Sequence, residues 1–371
     1  WQDVFEPACQ QAELGLPIDW FSAQKISLFA RGLKLYPETS RIYLADGLPP
    51  TVNLDGTLAR LILGKLAETY RLLQSKGAAE FYQGDLAARI VADLSEAGSR
   101  ITIEDLQNYE ASIAEPISLP YRGCTLHVSG PLTAGPSIAY ALNHLEANYQ
   151  PGNEPDAETF MQYAAALLTA YEHRLTNLGE GQQGNTSHLC VTDRHGNVVS
   201  LTQTIMSAFG SRVMLPQSGI LLNNGMMWFN PRPGGPNSVV GSRKPLCNMC
   251  PVILEGKDGS LTAIGACGGR KIFPAVFQLS SMIADFGLSV EDAAHHPRID
   301  VSGTDEVTIM DHMDTGIIDT IRQRYANVRV SPNGVSPNLF ALPQMIRREQ
   351  SGLATGACFI PSPHASVVAA D

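Results

Sequence analysis

The spacing of apolar residues divides the chain into a helix-rich first half and a strand-rich second half. Up to Asn177, apolar residues recur at three- and four-residue steps, the period of a helix with one buried face. Beyond it the period becomes two, which predicts half-buried strands at 186–193 and 197–206. A polar segment rich in Gly and Gln, residues 178–185, lies between the halves and predicts an exposed loop. This loop leads directly into a hydroxyl residue, Thr186.

The same pattern predicts the individual elements. In the first half, helices are expected to begin at Thr57, Gly84, Pro136 and Phe160. In the second half, further strands are expected at 219–222, 251–255, 261–266, 306–310 and 328–330, and helices at 271–286 and 317–325. The sequence shows no internal repeat.

Composition and charge exclude several classes of protein. With 371 residues, 44% of them hydrophobic, the chain suffices for two domains or one large one and is not purely disordered. No apolar run approaches the roughly 20 residues that a membrane span requires. The net charge of −10 argues against a nucleic-acid-binding protein, which would present a basic face.

The cysteines indicate a reducing environment. There are seven, an odd number spread thinly along the chain, which is not typical of a disulfide framework. We expect them to be mostly reduced, which favours a cytoplasmic over a periplasmic location. Because the chain begins at Trp1 inside a predicted helix and without an initiator Met, we expect the natural N-terminus to lie upstream.

The best candidate for chemistry is Thr186, in the run Asn185-Thr186-Ser187-His188. A threonine hydroxyl inside a chain is a weak nucleophile. When threonine is the first residue of a chain, its own α-amino group, with a reference pKa of about 7.7–8.0, can accept the hydroxyl proton. Cleavage of the Asn185–Thr186 bond would create this arrangement in one step. From the spacing alone, a threonine that merely opens a strand is the favoured interpretation.

A wider set of motifs favours the catalytic interpretation. In order after Thr186 come Gly196-Asn197, Leu201-Thr202, Phe209-Gly210, Leu222-Asn223-Asn224, Arg243-Lys244-Pro245-Leu246, Gly268-Gly269 and Pro297-Arg298. This half resembles the small subunit of the γ-glutamyltransferase family, whose members are N-terminal nucleophile hydrolases. The first half is similar to the later part of the family's large subunit, through Trp1-Gln2-Asp3-Val4, Ile101-Thr102, Asp105-Leu106, Tyr121-Arg122-Gly123 and Gly135.

The resemblance implies an α+β fold of a known kind, the four-layer αββα sandwich of N-terminal nucleophile hydrolases. It implies self-cleavage between Asn185 and Thr186, which leaves 1–185 as the end of a large subunit and 186–371 as a small one. The two would pair as a heterodimer, with a higher oligomer left open.

The resemblance also assigns the catalytic residues. It makes Thr186 the nucleophile, with Thr204 hydrogen-bonded to it, and it makes Gly268 and Gly269 the oxyanion hole. Glycine suits that role because its backbone N–H can approach a developing oxyanion closely. The reaction needs no metal or organic cofactor.

The sequence departs from the family's pattern where substrate binds. The asparagine expected three residues before Phe209 is Met206, and the acidic residue expected just before Phe229, which holds the substrate's ammonium, is Trp228. Two expected serines are Cys247 and Asn248. The remaining residues predicted to contact substrate are Asn224, Gly225 and Arg270.

Because an unpaired buried ammonium is costly, we expect this pocket to reject γ-glutamyl donors. The sequence therefore predicts hydrolysis of another small-molecule amide, with an oxamate-like substrate favoured and an acylase-like substrate as the second possibility. Two alternatives stay open: a γ-glutamyl transferase or hydrolase acting on glutathione-like donors, and an uncleaved inactive relative. The CxxC spacing of Cys247 and Cys250 and the pair His295-His296 lack the further ligands of a metal site, so no metal is expected.

Overall fold

The computed structural model describes residues 1–179, 184–335, 339–359 and 363–369. Four residues of the predicted polar loop, 180–183, lie outside the described residues. The chain forms two compact units, one made of Trp1–Ile113 with Ser207–Asn224 and the other of Ala114–Met206 with Gly225–Asp371. This division follows compactness, whereas the predicted division into 1–185 and 186–371 concerns a covalent cut and stays a prediction.

The first unit is helical. Its helices are α1 (Gln2–Leu14), α2 (Trp20–Leu33), α3 (Pro37–Tyr43), α4 (Leu66–Lys76), α5 (Ala79–Gln83), α6 (Asp85–Glu96) and α7 (Ile103–Gln107). Two short strands, β1 (Leu16–Ile18) and β2 (Ala59–Leu61), pair antiparallel.

Two predictions for this unit are wrong. The helix expected from Thr57 begins at Leu66, because residues 59–61 instead pair with β1. The strand expected at 219–222 is reduced to a single bridge between Met214 and Leu221.

The second unit is built on an antiparallel sheet. Six strands lie in the order β13 (Ala354–Cys358), β12 (Leu342–Arg348), β8 (Leu261–Cys267), β7 (Val252–Glu255), β4 (Cys124–Val128) and β3 (Ile117–Tyr121). A separate hairpin consists of β5 (Asn185–Thr192) and β6 (Val198–Met206). A small sheet joins β9 (Ile299–Asp300), β10 (Val307–Met310) and β11 (Val328–Ser331). The helices are α8 (Gly135–Asn148), α9 (Ala157–His173), α10 (Ile272–Phe286), α11 (Val290–His295) and α12 (Thr315–Arg324).

Apolar packing stacks these elements in layers. Helices α8, α9 and α10 bury Leu142, Phe160 and Phe277 in one core together with Leu126 of β4 and Ile264 of β8. Alternate residues of β8 face the opposite way, towards the β5–β6 hairpin. The predicted α+β class is therefore confirmed, and three layers of the αββα order lie within this unit.

The outer face of the hairpin is apolar. Five of its side chains are 39–49% exposed: Leu189, Val191, Val199, Leu201 and Ile205. Among the described residues, no helix is both long and apolar enough to cross a membrane.

Candidate active site

The predicted cleavage point lies at the first residues of β5. Asn185 pairs with Met206 and Ser187 pairs with Gln203, so the ladder is irregular between the two pairs. Thr186 therefore faces two residues of β6 in place of one. Such a bulge redirects side chains and is common beside active sites. The side chain of Thr186 is half-buried and that of Asn185 is exposed.

Thr204 lies on β6 opposite this point. Its hydroxyl donates a short hydrogen bond to the carbonyl oxygen of Asn185. The Thr204 hydroxyl oxygen in turn accepts a hydrogen bond from the backbone N–H of Met206, at 2.7 Å, which orients the hydroxyl. Thr204 thus binds the carbonyl group of the peptide bond that joins Asn185 to Thr186. A donor at this place stabilises negative charge that develops on the carbonyl oxygen during nucleophilic attack.

Gly268 and Gly269 connect the end of β8 to α10. Both have positive φ angles, +148° and +61°. A Cβ atom on Gly269 would lie 2.7 Å from the carbonyl oxygen of Gly184, two residues before Thr186. A Cβ atom on Gly268 would lie 2.9 Å from the Cα atom of Ala341. Gly269 therefore lies directly against the segment that leads into the cleavage point, and neither glycine leaves room for a Cβ atom.

A polar cluster links β5, β6 and β12 two residues along the hairpin from Thr186 and Thr204. His188 Nδ1 lies 2.8 Å from the hydroxyl of Thr202, and Nε2 lies 3.2 Å from Cys190 Sγ. The Cys190 thiol in turn donates to the carbonyl of Gln344 at 3.5 Å. The His188 ring fills the space beside Gly265 on β8, where a Cβ atom would come within 2.1 Å of it. His188 thus links the strand that carries the candidate nucleophile to the strand that leads to the glycine pair.

Burial keeps this imidazole neutral, and we expect stability to fall as the pH drops from 7 to 4. Burial lowers the pKa of His188 to about 4, whereas an unfolded histidine has a pKa of about 6.5. Unfolding therefore takes up a proton between these values, and the free energy of unfolding falls by roughly 3 kcal/mol from pH 7 to pH 4 through this group.

Urea denaturation at pH 7, 6, 5 and 4 measures this loss. His188→Gln should flatten the pH dependence, while His195→Gln, in the exposed turn between β5 and β6, should leave it unchanged. An identical pH dependence in His188→Gln and the parent protein would contradict the assignment.

The predicted substrate residues are spread over both compact units. Met206 is fully buried at the end of β6 and has a φ angle of +77°, which is strained for a side chain other than Asn, Asp or Gly. Trp228 ends a short 3₁₀ helix that begins at Gly225. Asn224 lies in the first unit, where its Oδ1 accepts from the backbone N–H of Ser207 at 2.9 Å.

Three further predicted residues lie in the second unit. Cys247 and Asn248 are buried in an extended loop before β7. Arg270 is half-buried, and its carbonyl accepts a hydrogen bond from the hydroxyl of Tyr171 at 2.5 Å. Burial raises the pKa of the Cys247 thiol and raises that of Cys250 to about 12, so both stay protonated at neutral pH. Within the described ranges, no three His, Cys, Asp or Glu side chains are grouped as a metal site requires.

Sequence reasoning missed Arg174, the first residue of a five-residue π-helix, Arg174–Leu178, that follows α9. Its guanidinium is buried and contacts the loop that carries Cys247 and Asn248. Short π-helical turns are frequent at functional sites. The available signal was a charged residue at the end of a strongly apolar helix, just before the polar loop.

The family model and the curated relatives that match this chain agree with one another. The family model described as gamma-glutamyltranspeptidase matches residues 1–183 and 171–358. The glutathione hydrolase proenzyme of Escherichia coli is 30% identical over 351 residues, and the acylase ACY 1 proenzyme of Pseudomonas sp. strain V22 is 28% identical over 345 residues. These matches cover 80% and 81% of this chain and 60% of each relative. The chain therefore spans about 60% of the length of these curated relatives.

A solved structure has the same fold. The cephalosporin acylase from Bacillus halodurans superposes with a TM-score of 0.84 at 23% sequence identity, covering 95% of this chain and 71% of the acylase chain. The α+β architecture is thus the architecture of that enzyme.

Proposed function

We propose, because the chain belongs to the gamma-glutamyltranspeptidase family, that it cleaves its own Asn185–Thr186 bond and then hydrolyses a small-molecule amide through Thr186. The observation that carries this proposal is the hydrogen bond from the Thr204 hydroxyl to the Asn185 carbonyl. It supports the proposal because a hydroxyl that donates to this carbonyl would stabilise the oxyanion formed when the bond is attacked. The packing of Gly269 on Gly184 adds the second predicted component of the site.

Self-cleavage would begin with attack by Thr186 Oγ on the carbonyl carbon of Asn185. The C–N bond breaks, the hydroxyl proton passes to the leaving nitrogen, and an ester links Asn185 to Thr186. Water then hydrolyses the ester, leaving a carboxylate on Asn185 and both a hydroxyl and an α-amino group on Thr186. The donor at Thr204 stabilises the oxyanion of each addition step.

The cut enzyme would use the same nucleophile, Thr186, on an external amide. The α-amino group of Thr186 accepts the hydroxyl proton, Oγ forms the acyl-enzyme, and the protonated leaving group departs as an amine. Water then adds to the ester carbonyl and releases the acid. The oxyanion lies against Gly268 and Gly269, whose lack of side chains lets backbone N–H groups come close.

The two fragments would stay together as a heterodimer. Strand β4 belongs to 1–185 and β7 to 186–371, and they pair from Thr125 opposite Glu255 to Val128 opposite Val252. The cut would therefore leave a central ladder of the six-stranded sheet intact. The β4–β7 pairing does not involve the bond between Asn185 and Thr186, so it would hold the two fragments together after the cut.

The substrate we propose is an amide whose acyl group is not γ-glutamyl, with oxamate favoured. Met206 is fully buried where the family's pattern has a polar asparagine, and Trp228 occupies the place of the ammonium-binding acid.

The test of this substrate proposal is a donor screen on the purified protein after N-terminal sequencing shows a new chain start at Thr186. We expect turnover of oxamate or an acylated β-lactam to exceed that of γ-glutamyl-p-nitroanilide. The opposite ranking would support the γ-glutamyl alternative, and an uncut protein without turnover would support an inactive relative.

We expect Trp228→Asp to raise activity on γ-glutamyl-p-nitroanilide. A carboxylate at this position restores a partner for the donor's ammonium. The free energy of one hydrogen bond to a charged group corresponds to a roughly 10- to 100-fold increase in kcat/KM. Steady-state kinetics of the cut variant measure the gain. Trp228→Phe is the control, since it removes the indole without adding charge. An equal response of the two variants would show that residue 228 does not meet the ammonium.

A further inference from the structure

We propose that Arg174 is a positioning residue that sets substrate selectivity by holding the Cys247–Asn248 loop in place. Arg174 precedes the cleavage point in the sequence, and the loop follows it. The inference rests on the proposed function, because it concerns the pocket of the cut enzyme. In the cut enzyme Arg174 belongs to the first fragment and the loop to the second, so this contact joins them at the substrate side.

The guanidinium of Arg174 bridges the Cys247–Asn248 loop and the start of α8. One nitrogen, Nη2, donates to the carbonyl of Cys247 at 2.8 Å and to Oδ1 of Asn248 at 3.2 Å. The other, Nη1, donates to the carbonyl of Thr133 at 3.2 Å and to the hydroxyl of Ser137 at 3.1 Å. Arg174 is only 3% exposed. The planar fork of arginine reaches both segments at once, which a lysine ammonium cannot do.

These contacts also fix how Asn248 is oriented. A guanidinium only donates hydrogen bonds, so the Asn248 atom that faces it must be the carbonyl oxygen, and the amide nitrogen is directed away. The identity of the amide atoms follows from the network and not from their shape. Loss of the guanidinium would remove this constraint on the Asn248 amide.

The same π-helical segment supports the other side of the predicted pocket. The Arg174 carbonyl accepts from the N–H of Gly179 at 2.8 Å, which closes the turn. Gly179, with a φ angle of +102°, packs so closely on Asn237 that a Cβ atom would lie 2.4 Å from the Asn237 Cβ. Asn237 then donates to the carbonyl of Trp228 at 2.8 Å and accepts from the N–H of Leu246 at 3.0 Å. One short segment thus sets the backbone position of Trp228 and of the loop that carries Cys247 and Asn248.

Burial of this charge is expensive for the fold. All four acceptors of the guanidinium are neutral, and burial lowers its pKa from the ordinary value. Polar acceptors offset only part of the cost of taking a charge out of water. An arginine placed here is therefore better explained by the geometry it imposes on the Cys247–Asn248 loop and the start of α8 than by stability alone.

The experiment compares Arg174→Lys with Arg122→Lys. Arg122 is the matched control, since its guanidinium is largely buried in the same unit and binds the carbonyl of Tyr149 and the carboxylate of Asp285, groups outside the pocket segments. For Arg174→Lys we expect KM for the best donor of the screen to rise about 10-fold or more, with kcat changed less than about 3-fold. We also expect a changed ratio of kcat/KM between oxamate and γ-glutamyl-p-nitroanilide. Arg122→Lys should lower thermal stability and leave both quantities unchanged.

A second readout does not depend on turnover. Cys247 is 5% exposed, so a thiol reagent should label it slowly, and release of the loop in Arg174→Lys should speed labelling as followed by mass spectrometry. Asn237→Ala replaces Arg174→Lys if the latter does not fold, with the same expected rise in KM. Unchanged labelling of Cys247, or faster labelling with unchanged KM and selectivity in an active enzyme, would overturn the inference. A parent protein that is neither cut nor active would overturn the proposed function instead, and labelling alone would then decide whether Arg174 holds the loop.

Discussion

Protein that carries Thr186→Ala is expected to remain a single uncut chain and to hydrolyse no amide above background. The substitution removes the oxygen that attacks the Asn185 carbonyl, and without the cut there is no α-amino group at residue 186 to act as base. Loss of a nucleophile lowers kcat by at least roughly 10³-fold even where binding is intact. Denaturing gels, N-terminal sequencing and the donor screen measure the result.

Controls separate this effect from misfolding. Ser187→Ala removes the neighbouring hydroxyl, which is exposed on the other side of β5, and it should be cut and active like the parent. Thr186→Ser keeps an attacking oxygen and should be cut, more slowly. A cut and active Thr186→Ala protein would exclude residue 186 as the nucleophile.

The hairpin that carries the candidate nucleophile could be predicted from sequence. Its alternating pattern predicts strands at 186–193 and 197–206, within one residue of those observed, Asn185–Thr192 and Val198–Met206. The irregular pairing beside Thr186 could not be predicted, because register depends on which residues of β6 lie opposite. The hydrogen bond from Thr204 to the Asn185 carbonyl is a consequence of that register.

Contacts between segments that are distant along the chain could not be predicted from the sequence. Gly269 packs on Gly184, and Arg174 binds groups 37 to 74 residues away along the chain. Local periodicity carries no information about such pairs. The same limit explains the helix wrongly placed at Thr57: the apolar spacing there fits a helix, but residues 59–61 pair with β1. Resemblance identified the candidate reactive residues, whereas the residues that position them required the fold.

Gly269→Ala is expected to slow self-cleavage and to lower kcat by roughly 100-fold, comparable to the loss of one oxyanion-hole donor. The added Cβ would lie 2.7 Å from the carbonyl oxygen and 2.8 Å from the nitrogen of Gly184. These are backbone atoms of the segment that leads into Thr186, so the glycine turn and the nucleophile cannot both keep their places. Rates of cleavage on denaturing gels and kcat of the cut fraction measure the effect.

Gly287→Ala is the control that isolates this contact from backbone strain. Gly287 has a φ angle of +66°, close to the +61° of Gly269, and apart from Gly287 and its two chain neighbours no described residue has an atom within 4 Å of the position that a Cβ would take there. Alanine at both sites therefore carries a similar conformational penalty, on the order of 1 kcal/mol. Only the substitution at 269 displaces the cleavage segment. Similar thermal stabilities with activity lost in Gly269→Ala alone would place the glycine pair in the reaction, whereas equal activities would show that it serves only as the turn between β8 and α10.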